Sequence, residues 1–158
     1  MIVIYTIEFQ KCELPHTCII LFLHPEDKIG QQIDNIISAE ILDKEKHPRL
    51  YEVVKNFMIQ GPCRVHNSKS PCMKNGMCSK YYPKSFQNRT TINQDGYPIY
   101  RRRDDGSTIE KDYIFWDKYV ILHNPKLLLK YNSHINVEWC NQSRSIKYLF
   151  KYINKGHD

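Results

Sequence analysis

The spacing of apolar positions changes period several times along the chain. Ile2 to Gln10 is rich in β-branched residues and reads as a strand, as does His16 to Leu23, and Lys11 to Pro15 connects them as an antiparallel hairpin. From Ile29 to Ile41 the residues Ile29, Ile33, Ile36, Ile37 and Ile41 recur at helical spacing. His47 to Met58 repeats that period with Leu50, Val53, Val54 and Phe57, so two helices are predicted. Periodicity is then lost from Gln60 to Phe86, where Gly, Pro, Ser, Asn and Cys predominate and something other than a core must hold the chain. Tyr97 to Arg103, Lys111 to Trp116 and Lys118 to Asn124 read as short strands, with Asp104-Asp105-Gly106 as a turn. Lys126 to Tyr131 is a short apolar element, and His134 to Trp139 alternates Ile135, Val137 and Trp139 as a half-buried strand. Ser143 to Lys155 has a helical period. These elements predict an α+β fold, an antiparallel sheet flanked by helices, with a cysteine-bearing module inserted over residues 60–86.

At 158 residues the length suits one domain, 1–158, with a core of its own. Hydrophobic residues at 41%, with 11 Tyr and 6 Phe, exclude a disordered, collagen-like or coiled-coil chain. Lys plus Arg exceed Asp plus Glu by 23 − 17 = 6, which permits a polyanionic partner without proving one. No secretory leader is evident, and the longest strongly apolar run, Cys18 to Leu23, is far too short to cross a membrane. A soluble protein is expected, with no membrane partner. Cysteines at positions 12, 18, 63, 72, 78 and 140 without a secretion signal imply a reducing compartment, where metal ligation or burial is favoured over disulfides.

Four groups of residues carry candidate chemistry. Tyr148 and Tyr152 lie four apart and share one helical face, flanked by Lys147, Lys151 and Lys155. They are either ordinary residues of an amphipathic helix or nucleophiles, since a tyrosine phenolate can attack phosphorus and retain the product as an ester. His16 and Cys18 are two apart on a strand and point the same way, so they form either a two-donor metal face, completed by Gln10 or Glu8, or a lone histidine beside a buried thiol. The pattern Cys63-x2-His66-x5-Cys72-x5-Cys78 offers four donors to a tetrahedral zinc site, or else three unpaired loop thiols. Arg101, Arg102 and Arg103, following Tyr97 and Tyr100, could grip phosphates and stack bases, or form a solvated edge. Lys80, Lys84 and Arg89 carry the same two readings.

Several of these segments, in order, resemble one family. Glu-Phe-Gln-Lys-Cys-Glu-Leu-Pro-His-Thr-Cys-Ile-Ile-Leu-Phe-Leu (8–23) looks like the nuclease motif of Helitron rolling-circle transposases. Gly-Pro-Cys (61–63), Pro-Cys-Met-Lys-Asn-Gly-Met-Cys-Ser-Lys (71–80), Asp-Gly-Tyr-Pro-Ile-Tyr-Arg-Arg-Arg (95–103), the segment 124–138 and Ile-Lys-Tyr-Leu-Phe-Lys-Tyr-Ile-Asn-Lys-Gly-His-Asp (146–158) resemble the Helitron helicase-like N-terminal family as well.

The resemblance implies a two-tyrosine HUH endonuclease core, in which a histidine-hydrophobe-histidine pair binds magnesium or manganese. It implies cleavage and rejoining of single-stranded DNA at transposon ends, in the nucleus. Tyr148 and Tyr152 match the nucleophiles, His16 the first metal histidine, and Gln10 a third ligand, with Glu8 second choice. Cys18 stands where the second histidine belongs, and a soft thiol matches magnesium poorly, so weakened or lost activity is expected. The family often has a histidine where Gln60 stands, so His66 would replace it in a zinc site. The resemblance begins inside the nuclease domain, and the helicase of full-length relatives, with its Gly-x-x-x-x-Gly-Lys-Ser/Thr phosphate loop, has no counterpart in this sequence. A truncated copy without ATP-driven unwinding is therefore expected.

Overall fold

A computed structural model describes residues 2–9, 15–24, 32–64, 66–106, 109–111, 114–115 and 117–140. The chain divides into two compact units, one formed by residues 1–31 with 140–158 and the other by residues 32–139. Together the described residues make a small α+β protein of two-stranded antiparallel sheets and α-helices. No helix among them is long and apolar enough to cross a membrane.

In the first unit the predicted hairpin is present as β1 (Ile2–Phe9) and β2 (Pro15–Phe22), paired from Ile2 opposite Phe22 to Phe9 opposite Pro15. Residues opposite one another in an antiparallel pair share a face, and residues two apart on a strand do too. Val3, Tyr5, Ile7, Ile19 and Leu21 on one face and Ile2, Ile4 and Phe22 on the other are all exposed.

The second unit holds a core built around α2 (Pro48–Phe57), which presents Leu50, Val53 and Val54 at helical spacing to Met58, Tyr119, Val120, Leu128 and Ile109. Pro48 opens that helix, where a missing N–H is not needed. Its predecessor differs from the sequence expectation. In the described part of the isoleucine repeat, from residue 32 onward, there is a single turn, α1 (Ile33–Ile36), after which Ile37 is extended with φ −115° and ψ 124°. The reason is a competing pairing. Ser38 and His123 exchange two main-chain hydrogen bonds of 2.8 and 2.9 Å, and Ile37, whose branched side chain suits extended backbone, is buried there, as are Ala39 and Ile41.

The segment predicted as a strand over 118–124 begins as a 3-10 turn, Asp117–Tyr119, and continues through bridges from Val120 to Ile59 and from His123 to Ser38. The apolar element 126–131 is a helix, α3 (Pro125–Tyr131), capped by the Asn124 side chain accepting from Leu127 N–H at 2.9 Å and closed by Asn132 in the left-handed region. Residues 134–139 alternate exposed and half-buried as expected, yet join no ladder among the described residues; Val137 N–H donates to Leu122 O, and Trp139 N–H to the Tyr100 hydroxyl. The remaining strands are short pairs: β3 (Met73–Lys74) with β4 (Met77–Cys78), β5 (Thr91–Ile92) with β6 (Pro98–Ile99), and β7 (Glu110–Lys111) with β8 (Ile114–Phe115). The helix predicted over 143–155 lies outside the described residues.

Candidate metal centre and basic segment

The module expected to be irregular contains a tight hairpin. Asn75 and Gly76 both have positive φ, 50° and 75°, the backbone of a two-residue turn whose twist matches its flanking strands. That turn sets Met73 opposite Cys78, and Ser79 N–H reaches Cys72 O at 2.7 Å, so two cysteines distant by five intervening residues come together. Cys63 joins them from the segment that follows α2. The three sulfurs all lie within 4.8 Å of one another, a set able to hold a metal ion such as zinc. Sulfurs around a tetrahedral zinc are separated by about 3.8 Å, from Zn–S bonds of about 2.3 Å.

Cys63 and Cys78 are 0% and 1% exposed and belong to the core, so a site here cements core to loop. Burial, then hydrogen bonding with the Cys78 and Cys72 thiols, pushes the Cys63 thiol up to about 12. Burial acts in the same direction on Cys78, but main-chain N–H groups of Tyr82 and Lys80 donate to its sulfur and, with the other two thiols, hold it below the usual thiol range. Cys78 therefore gives up its proton more readily than Cys63 does. His66 is exposed, and the close set comprises the sulfurs without it. Its N–H donates to Cys63 O at 3.3 Å, and its ring meets Tyr119 edge-on at 6.5 Å. Gln60 is held elsewhere, its N–H donating to Tyr119 O.

On the hairpin of the first unit, Glu8 pairs with His16 and Thr6 with Cys18, so one face carries His16 and Cys18 together with the Glu8 position. Gln10 lies outside the described residues. Burial and the nearby Cys140 thiol raise Cys18 above the ordinary thiol value, so at neutral pH it stays protonated. A protonated thiol is a poor donor for magnesium or manganese, which favour harder ligands. Tyr148, Tyr152, Lys147, Lys151 and Lys155 also lie outside the described residues.

The triple arginine differs most from its sequence reading. Arg102, expected to grip phosphate, is 4% exposed, and its guanidinium donates to Ala39 O, Asp117 O and Val120 O at 2.7 to 2.9 Å. Reaching a bound strand from that position would mean opening the core. Arg103 forms a fork on the Glu40 carboxylate, Nε to Oε1 and Nη2 to Oε2, both 2.9 Å, and its main-chain N–H adds a third bond. Arg101 lies 3.2 Å from Glu40 and 3.8 Å from Asp34. Asp34 in turn accepts from the Thr90 hydroxyl. Glu40, which no motif singles out, is the 6% exposed hub of this network.

Burial alone would raise the Glu40 carboxyl, but hydrogen bonds from Arg103 and the charges of Arg101 and Arg103 outweigh it and hold the group below its ordinary 4.5. The folded value being the lower one, Glu40 stabilises the fold fully above that pH and loses its contribution as the pH falls through and below it. Acid titration of melting temperature should therefore show a smaller loss between neutral pH and about pH 3 for Glu40→Gln than for the wild type. Identical acid limbs would show that the network adds nothing to stability.

Compared with protein-family models and with curated proteins, the chain matches none.

Proposed function

We propose that this chain is a Helitron-type transposase domain, with an HUH nuclease core, that nicks and rejoins single-stranded DNA at transposon ends, its metal chemistry weakened by Cys18. The observation that carries the reading is the register of the opening hairpin, which gathers His16, Cys18 and the Glu8 position on one face. In the reaction a phenol oxygen of Tyr148 or Tyr152 bonds to phosphorus while the bond from phosphorus to the 3′ oxygen breaks. The phenolic proton ends on that oxygen, and the 5′ phosphate is retained as a tyrosine ester. Zinc on Cys63, Cys72 and Cys78, with His66 as fourth ligand, is proposed as a structural site, and the nucleus as the place of action.

A second reading, a non-catalytic single-stranded DNA-binding remnant, is favoured by the protonated state of the Cys18 thiol. The two are separated by incubating labelled, sequence-randomised single-stranded oligonucleotides with wild type and with Cys18→His, in magnesium and in manganese. Restoring the histidine should raise the yield of covalent protein–DNA adduct at least roughly tenfold, the lower end of what disturbing metal surroundings costs. The adduct should vanish when Tyr148 and Tyr152 are both changed to phenylalanine. Binding without adduct, in Cys18→His as in wild type, would leave the remnant reading standing and remove the nuclease one.

A further inference from the structure

The sequence Lys80-Tyr81-Tyr82-Pro83-Lys84 follows Cys78 directly, and the two tyrosines meet opposite fates. Tyr82 turns inward: it is buried, its hydroxyl donates to Val120 O, and its ring stacks on Tyr119 with centroids 6.1 Å apart. Tyr81 turns outward and is 77% exposed. Its φ is +58°, a left-handed backbone that bulky residues rarely adopt and that persists only where neighbours over-determine it. Here the neighbours are identifiable. Tyr81 N–H donates to Cys78 O at 2.8 Å, and Lys84 N–H donates to Lys118 O at 2.9 Å, so the segment is pinned at both ends.

Beside it lies a cleft of about 630 Å³, a volume typical of ligand sites. Lys80, Tyr81, Tyr82, Lys84, Tyr100 and Arg102 line it. The Lys84 ammonium sits 5.0 Å from the Tyr82 ring centre and 5.8 Å from that of Tyr81. Among the described residues no carboxylate lies within ion-pair distance of Arg102, whose guanidinium is hydrogen-bonded to main-chain carbonyls while Asp117 and Glu40 act on it only from further off. Glu138 also lines the cleft, one carboxylate against the basic side chains of Lys80, Lys84 and Arg102. Burial, and then the Arg102 charge, lower the Lys84 amine below its ordinary value, against the opposing pull of Glu138. An exposed flat ring next to cations is the pairing that single-stranded nucleic acids use, the ring for a base and the cations for its phosphate.

We propose that this cleft holds one nucleotide of a DNA single strand, the base stacked on Tyr81 and the phosphate drawn to Lys80 and Lys84. The inference rests on the single-stranded DNA reading above and adds a binding site for it, separate from the arginine network. Arg102 contributes field from the floor of the cleft without leaving its carbonyl partners. Cys78 links this site to the sulfur cluster, because the same turn that donates N–H groups to its sulfur sets the backbone of Tyr81.

The test uses the full chain, a fluorescein-labelled oligo-dT, and anisotropy at several salt concentrations. Tyr81→Ala should weaken binding roughly 5- to 150-fold, the range for losing one base–aromatic stack, while Tyr81→Phe stays near wild type. Lys84→Gln should reduce the slope of log affinity against log salt by about 0.7, the single-strand increment for one phosphate contact. An oligonucleotide of abasic sites should bind the wild type and Tyr81→Ala alike. Because Tyr81 is exposed, its replacement should not lower the melting temperature, which keeps a loss of affinity interpretable. If wild type binds oligo-dT and these variants match it, the cleft is not the site, although the single-stranded DNA reading stands. If wild type does not bind at all, both fall.

Discussion

Cys78→Ser is expected to abolish the binding of one zinc ion per chain and to destabilise the protein by about 4 kcal/mol or more, the scale of losing a structural metal. Three features make the effect large. The sulfur is 1% exposed, it is in hydrogen-bond contact with the Lys80 and Tyr82 main chain, and it joins the core that includes Val54, Met58 and Val120. Elemental analysis and thermal melting provide the measurement. A chelator should lower the wild-type melting temperature toward that of Cys78→Ser and leave the variant unmoved, which distinguishes loss of metal from loss of packing. Cys140→Ser, at an exposed position, should stay within about 0.5 kcal/mol of wild type. Zinc-free protein with wild-type stability would dismiss the metal centre.

Arg102→Met should destabilise by about 4 kcal/mol, because Ala39 O and Asp117 O lose their donor at once, each orphaned acceptor costing about 1 to 3 kcal/mol, while Val120 O keeps only the longer bond from the Tyr82 hydroxyl. Arg101→Met removes the pairs to Glu40 and Asp34 but leaves Glu40 held by Arg103 and Asp34 bonded to Thr90, and should cost no more than about 1 kcal/mol. Urea unfolding of the two variants reads the contrast directly. The opposite ranking, with Arg102→Met stable, would return Arg102 to the surface role that its sequence neighbourhood suggests.

What the amino-acid sequence revealed, and what it hid, follows from the range of the forces involved. The hairpin and α2 were legible because their signals are local, β-branched runs and a 3.6-residue period, whereas 126–131 read only as a short apolar element although Asn124 before Pro125 marks a helix start. The Ile29–Ile41 repeat misled because Ser38 pairs with His123, a partner 85 positions away that no local period encodes. Asn75-Gly76 was a readable turn signal within a segment taken as irregular, and it is what brings Cys72 and Cys78 together. Three consecutive arginines looked equivalent as letters. Only the fold separates the buried one from its neighbours, through the carbonyls of Ala39, Asp117 and Val120 and the carboxylate of Glu40.

The opening hairpin has a practical side. A two-stranded ribbon is marginal in water on its own, and among the described residues this one offers oily residues on both surfaces. Such a ribbon recruits further strands wherever it meets them. Purification at high concentration will therefore favour clumping through residues 2–22, and a soluble preparation will depend on giving that ribbon a cover.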